Sequence, residues 1–317
     1  MRHAIAIPLN KVKPIWLRMD DASSAAEKLH AATVSVSVNV LLLTTKIIVG
    51  VATGSLGILA EAAHSLLDLL ASGFAYTGIR AANRPLDEEH PYGHEKFENF
   101  SSLVQTALLS VTSILIFYEA GLRLFTGFAI LINNTLYYAM AIMVFAIIAD
   151  FSVSRYLFQN ARKYGSSALE ADAYHFSTDI YSSSAVLLGL VAARFGYVVV
   201  DPLAAIFVAV IMLTTSIRLG RKTTRILLDA APPKEITSKI RDVIADDHDI
   251  TDFHDLRARQ AGSSLFVDVS IHVRPNLSLE DAHNIANKLE KDIKTRVPNV
   301  KESIIHIEPE TSTRKET

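Results

Sequence analysis

His64-Ser-Leu-Leu-Asp68 and His175-Phe-Ser-Thr-Asp179 each set an imidazole and a carboxylate four positions apart. On a helix this spacing puts both groups on one face, one turn apart. Both motifs lie inside largely apolar stretches, where an ionisable group costs roughly 2.5–3.5 kcal/mol on insertion scales and is therefore usually functional. Two such faces brought together supply two nitrogens and two oxygens. That donor set fits a tetrahedral zinc ion, with metal–ligand distances of roughly 2.0–2.2 Å. One pair alone reads as well as a hydrogen bond between packed helices, and its recurrence on a second helix is what favours a metal. The chain has no cysteine, so disulfides, thiolate sites and thiol switching are excluded and any metal must be held by nitrogen and oxygen.

Two further groups of candidate ligands follow. The stretch Arg84-Pro-Leu-Asp87-Glu-Glu-His90-Pro-Tyr-Gly-His94-Glu-Lys96 offers Asp87, His90 and His94. These converge on a metal near the cytosolic surface, or else belong to a solvated acidic loop with incidental histidines. Nearer the C-terminus stand His254, His272, His283, His306 and Glu308. His306 and Glu308 are two apart on an expected strand and so face the same way. Each of these histidines alone reads as an ordinary surface residue unless the fold gathers them.

The elements that must position these groups are written in the hydropathy. Half of the 317 residues are hydrophobic and the mean hydropathy is positive, at +0.27, which is too apolar for an ordinary soluble protein. Six apolar stretches approach the roughly 20 residues that cross a bilayer as a helix. They are Ala31–Thr53, Leu56–Ile79, Phe100–Phe125, Ile130–Phe151, Ser167–Arg194 and Val198–Leu219. The second and fifth, which carry the motifs, are the most interrupted by polar residues. Basic residues gather in the N-terminal tail, around Arg80, Arg84 and Lys96, around Arg155, Arg162 and Lys163, and at Arg218 to Arg225, whereas the opposite loops hold Arg123 and Arg194. The positive-inside rule then puts both termini in the cytoplasm. Residues 1–30 read as a cytosolic tail rather than a signal peptide, because no short apolar core with a cleavage site follows the basic residues.

Pro232-Pro233 marks a change to soluble composition. Lys234 to Asp246 has helical spacing, Thr251 to Gln260 reads as a strand, and Ser264 to Val273 alternates with Leu265, Val267, Val269, Ile271 and Val273 on one face. Ser278, with Asp281 in the capping-box position, opens a helix whose apolar side is Ala282, Ile285, Leu289 and Ile293. Val300 to Glu308 reads as a last strand. The expected fold is a six-helix α-helical membrane bundle (31–222) followed by a cytosolic α+β domain (230–310) of αββαβ order, ferredoxin-like, with 311–317 as a disordered tail. A formal net charge of −2 implies no pull toward nucleic acid.

Taken together, the paired His-x-x-x-Asp motifs, the Arg-Pro-x-Asp-x-x-His-x-x-Gly-His loop and the His254-Asp-Leu-Arg-x-Arg-x-x-Gly262 strand resemble the cation diffusion facilitator family, from about Ala31 to Pro309. The resemblance implies a homodimeric transporter in the cell (inner) membrane. It would export a divalent metal, zinc foremost, in exchange for protons, without enzyme activity. It further implies that His64, Asp68, His175 and Asp179 form the transport site. Asp87, His90 and His94 would form a loop site, and His254, His272, His283, His306 and Glu308 a regulatory zinc site at the dimer interface. Lys96 and Asp229 would be a charge interlock between the two parts. Some members carry Asp where His64 stands, and a shorter Asp where Glu308 stands. Glu95 takes the place of a common glycine. Export of iron(II), manganese, cobalt or cadmium is the alternative cargo reading, since imidazole suits several of these ions. A non-transporting membrane metal sensor is the alternative of a different class. No Walker-type glycine loop is present, so ATP is not implied as a driving force.

Overall fold

The computed structural model describes residues 15–53, 56–126, 135–195, 197 and 199–310. Six long helices come first: α1 (Ile15–Thr53), α2 (Leu56–Ala82), α3 (Lys96–Thr126), α4 (Thr135–Tyr164), α5 (Ser167–Arg194) and α6 (Val200–Leu227). Their outward faces are rich in exposed large apolar side chains, among them Ile48 at 61%, Ile148 at 61% and Phe207 at 67% exposure. Exposed apolar surface on this scale needs a lipid or protein cover. Among the described residues four helices, α1, α3, α4 and α6, are long and apolar enough to cross a membrane by length and composition. The other two, α2 and α5, carry the ionisable motifs, and that is what lowers their mean hydropathy.

Part of the expected tail of residues 1–30 is helical, because α1 already begins at Ile15. The segment Asp21 to Leu29 is rich in good helix formers and lacks both glycine and proline, so the span continues backward as a polar helix. At 1.5 Å per residue such a helix outruns a hydrocarbon core of roughly 30 Å. Helices α2, α4 and α6 likewise run past the expected ends at Ile79, Phe151 and Leu219. The expected start of the fourth span at Ile130, the N-terminal residues before Ile15, and Thr311 to Thr317 lie outside the described residues.

Within the bundle α1 packs on α2, α3 on α6 and α4 on α5, and α5 touches each of the other five helices. Close approach of α2 and α3 depends on Gly78, where a Cβ would fall on the Ser101 side chain. Polar groups stitch the interior: Asn39 Nδ2 donates to Ser72 Oγ at 2.7 Å, and Ser72 Oγ donates to Asp172 Oδ1 at 2.8 Å. Lys28 pairs with Glu98 at 3.1 Å, with both side chains buried.

Beyond Leu227 the order is α7 (Lys234–Ala245), β1 (Asp252–Ala261), β2 (Ser264–Val273), α8 (Leu279–Arg296) and β3 (Val300–Pro309). The sheet order is β1-β2-β3, with β1 antiparallel and β3 parallel to β2. A parallel neighbour requires a crossover, and α8 supplies it. Ser278 caps α8, its Oγ accepting from the Asp281 N–H at 3.1 Å while its hydroxyl donates to Asp281 Oδ2 at 2.6 Å. Ile240, Ile244, Leu289 and Ile293 from the helices meet Val267, Val269 and Ile271 from β2 in one core. The alternation of β2 therefore gives its apolar face to the helices and leaves the face of Phe266 and His272 for other work.

The domain docks on the bundle through the β1–β2 hairpin. Gly262, at φ +56°, turns the hairpin, its N–H donates to Asn99 Oδ1 at 2.7 Å, and a Cβ there would meet the Glu95 carbonyl at 2.9 Å. Asn99 in turn donates to Ser167 Oγ at 2.9 Å, which ties the hairpin to the starts of both α3 and α5.

Candidate metal centres

Helix α2 carries His64 and Asp68 on one face, and α5 carries Asp172, His175 and Asp179 at spacings of three and four on one face. Packing of α2 on α5 brings these faces together. His175 Nε2 lies 3.0 Å from Asp68 Oδ1, and His64 Nε2 lies 3.8 Å from the same oxygen. Ligand atoms of His64, Asp68 and Asp179 all fall within 4.8 Å of one another. His175 stands outside that trio and reaches it through its contact with Asp68. Asp68 and His175 are buried, at 5% and 3% exposure.

Donor saturation here is incomplete. His64 Nε2, His175 Nδ1 and Asp179 Oδ1 are buried atoms without hydrogen-bond partners. Buried polar atoms left unpaired are costly and rare. Two of them, on His64 and Asp179, line one small polar cavity beside Asp68, which His175 already holds, and together they make a donor set that a divalent cation can complete.

The cavity contains groups that the motif reading passes over. Lys46 of α1 and Asp150 of α4 line it beside His64, Ser65, Asp68 and Asp179. Lys46 Nζ donates to Ser65 Oγ at 2.7 Å. Asp172, fully buried, is the third omission, with Oδ2 unpaired. For Lys46 and Asp150 the signal is simple, since a lone charge in an apolar stretch is itself a functional-site marker, whereas Asp172 shares its helix turn with Glu170 and His175.

The loop cluster forms between α2 and α3. The His90 N–H donates to Asp87 Oδ1 at 2.7 Å, His90 Nδ1 lies 3.3 Å from that oxygen, and His94 Nε2 lies 3.2 Å from Asp87 Oδ2. The two imidazole rings sit 4.4 Å apart and both lean on Phe97. Gly93, at φ +98°, makes the turn that returns His94 toward Asp87. The backbone N–H of His90 holds the Asp87 carboxyl below its ordinary value, with the two rings adding to the effect. His94 is buried and its Nδ1 unpaired, whereas Asp87 is open to solvent.

In the C-terminal domain strand register makes a third cluster. Glu308 of β3 lies directly beside His272 of β2, and His254 of β1 pairs with Ser270 one step along. His254 and His272 Nε2 atoms stand 3.5 and 3.6 Å from Glu308 Oε2, and all three residues offer atoms within 4.8 Å of one another. The buried His272 Nε2 has no hydrogen-bond partner. His306 reaches only the other oxygen of Glu308, at 3.6 Å, and is largely exposed. His283 does not join this cluster within one chain. It lies on α8, exposed, in the layer that covers the opposite face of the sheet.

Lys96 and Asp229 meet, with Nζ 2.8 Å from Oδ1. Arg259 of β1 approaches the same oxygen at 3.6 Å, and Lys96 also donates to the Leu227 carbonyl at 3.4 Å. Asp229 holds φ +54°, which turns the chain from α6 toward the domain. A second ion pair, Lys301 with Glu95, ties β3 to the same loop.

The chain is similar to known proteins along most of its length. The cation efflux transmembrane domain model matches residues 32–228 and the cation efflux protein cytoplasmic domain model matches residues 232–310. Metal tolerance protein C1 of Arabidopsis thaliana is 33% identical over 276 residues, which cover 83% of this chain and 59% of that protein, so the match spans less than two thirds of the plant relative. Cation-efflux pump FieF of Shewanella oneidensis is 30% identical over 279 residues, covering 88% of this chain and 93% of that protein. Among solved structures, the metal-bound C-terminal domain of the CzcD transporter from Thermotoga maritima is 26% identical, covering 24% of this chain and 88% of that one at a TM-score of 0.24. Family members are transporters rather than enzymes. The chain belongs to the cation diffusion facilitator family of membrane cation-efflux proteins.

Proposed function

We propose that the chain exports a divalent transition metal, zinc foremost, from the cytoplasm by proton antiport, through a homodimer with six spans per subunit and both termini cytoplasmic. The observation that carries this reading is the cluster of His64, Asp68, His175 and Asp179, with its unpaired buried donors, between two polar helices of an apolar bundle. Two imidazoles and two carboxylates suit zinc by ligand type and number. A nitrogen lone pair holds either a proton or a metal, so the two compete for the same atom. When the site faces the cytoplasm, neutral imidazoles and ionised carboxylates capture the ion. When it faces a more acidic exterior, protons take their place and the ion leaves. Protons carried inward then reset the site, which gives antiport without ATP.

The loop and C-terminal clusters are accessory binding sites in this reading. Their donor sets, Asp87 with His90 and His94, and His254 with His272 and Glu308, are of nitrogen and oxygen and fit zinc. Zinc resident in the C-terminal cluster would join two copies of the domain and bias the bundle through Lys96, Asp229 and the Glu95–Lys301 pair. His283, remote from the cluster in one chain, joins it only from a second copy. The domain limits follow the same reading, with residues 31–222 as the spanning part and 230–310 as the cytosolic part.

Iron(II) is the second cargo to weigh, because the cavity contains one more carboxylate than a tetrahedral zinc site uses. The test is ion uptake into proteoliposomes with an imposed proton gradient, comparing zinc, iron(II), manganese and cadmium. Gradient-dependent flux that prefers zinc supports the proposal. Binding of metal with no flux of any ion would instead make the chain a sensor.

A further inference from the structure

Asp150 is the one acidic residue of α4, a helix otherwise apolar enough to cross a membrane. It is 4% exposed. Its position follows from helix packing. Ala146, Asp150, Ser154 and Leu157 form a buried stripe at spacings of three and four, and this stripe lies against α5. Ser154 Oγ donates to the Ala173 carbonyl at 3.1 Å and bonds Ser177 Oγ at 2.8 Å. Since α4 and α5 run in opposite directions, Asp150, one turn before Ser154, falls one turn beyond Ser177 on α5. That is the level of Asp179 and Ser182, and the cavity lined by Asp68, Asp179, Ser182 and His64 includes Asp150. Among the described residues no hydrogen bond or ion pair ends on its carboxylate.

A buried carboxylate in a cation cavity that neither packs a helix end nor caps a partner has a role in what the cavity holds. We propose that Asp150 is a further cation-contacting residue of the transport cavity, and that it selects cargo by adding an oxygen ligand beyond the two imidazoles and two carboxylates of α2 and α5. This rests on the transport reading above. Zinc is satisfied by four ligands. Iron(II), manganese and cobalt take higher coordination numbers, and manganese favours oxygen. A third carboxylate therefore widens the accepted cargo toward these ions, and Lys46 in the same cavity offsets part of the added negative charge.

The experiment is flux in proteoliposomes for wild type, Asp150→Leu, Asp150→Asn and Asp68→Asn, with zinc, iron(II), manganese and cobalt offered singly and in competition. Size-exclusion profiles report folding. Asp150→Leu is expected to lower manganese and iron(II) flux about tenfold or more relative to zinc, within the range that loss of one supporting ligand costs. Asp150→Asn, which keeps an oxygen of the same size, falls between, and it carries the test alone if the leucine variant does not fold. Asp68→Asn loses all four ions. Unchanged flux ratios in a folded Asp150 variant, whether every ion falls together or none does, would overturn the proposal and leave the transport reading standing. A wild type that moves no ion would overturn both.

Discussion

His175 Nε2 lies 3.0 Å from Asp68 Oδ1, across the contact of α5 with α2 and 107 positions apart in sequence. The contact makes one imidazole the orienting partner of one carboxylate before any cation arrives. It also fixes how the two ends of the cluster differ, since His64 and Asp179 keep unpaired buried atoms while Asp68 is held. An incoming ion therefore meets open atoms on His64 and Asp179 beside a carboxylate that is already oriented.

Replacing His175 by Ala should do two things. It removes a candidate ligand and leaves the buried Asp68 carboxylate short of a partner, a cost of about 1–3 kcal/mol for an unsatisfied buried group, more for a charge. We expect the variant to lose transport and to unfold at lower temperature, whereas His64→Ala, whose residue is more exposed and makes a longer contact, should lose transport with a smaller shift in thermal stability. Thermal unfolding in detergent, read beside flux, separates the two effects.

The docking contacts differ in depth. Lys96 and Asp229 are both over a third exposed, so breaking that pair alone should cost no more than about 1 kcal/mol. Asn99 is fully buried and holds both Gly262 and Ser167. Asn99→Ala should therefore loosen the domain more than Lys96→Ala does. Hydrogen exchange across Asp229 to Pro233 and across the β1–β2 turn checks the order, and equal effects would contradict it.

In the C-terminal cluster, His272→Ala and Glu308→Ala should each weaken zinc binding more than tenfold, because both residues belong to the three-residue set that a single chain assembles. His283→Ala should leave zinc binding by dilute, monomeric protein unchanged and weaken it only where the protein dimerises. Calorimetric titration at two protein concentrations distinguishes these outcomes.

The loop cluster has a pH signature. The His90 N–H keeps the Asp87 carboxyl below its ordinary value, so its favourable contacts are present above the ordinary aspartate value of about 3.9 and are lost only as pH falls through the lowered folded value. Down to about pH 5, Asp87 should accordingly stay ionised and available to loop-bound zinc. A zinc-binding titration of wild type and Asp87→Asn checks this. The variant should bind weakly at every pH rather than shift the midpoint.

How much of this is legible in the sequence depends on the range of the contact. The i, i+4 motifs and the alternation of β2 are local patterns, and both the paired His/Asp faces and the apolar side of β2 can be read from them. Register between strands is not local. That Glu308 faces His272, and that His283 falls behind the sheet, follows from the parallel pairing of β2 and β3 through α8, which no spacing reveals. The early start of α1 is hidden because polar helix and cytosolic tail have similar compositions. Lys46, Asp150 and Asp172 are passed over by a search for repeated pairs, although a lone charge in an apolar stretch marks the first two.

In the proposed function the α2/α5 cluster is where the cargo binds and where it is exchanged for protons. The most direct measurement is zinc-driven proton movement, followed by a pH-sensitive dye inside proteoliposomes, for wild type and for Asp68→Asn reconstituted at equal amounts. Wild type should show zinc-dependent proton flux opposite in direction to zinc, and the variant none while it remains folded and still binds zinc at the C-terminal cluster. Proton-coupled zinc flux of wild-type size in folded Asp68→Asn would contradict it.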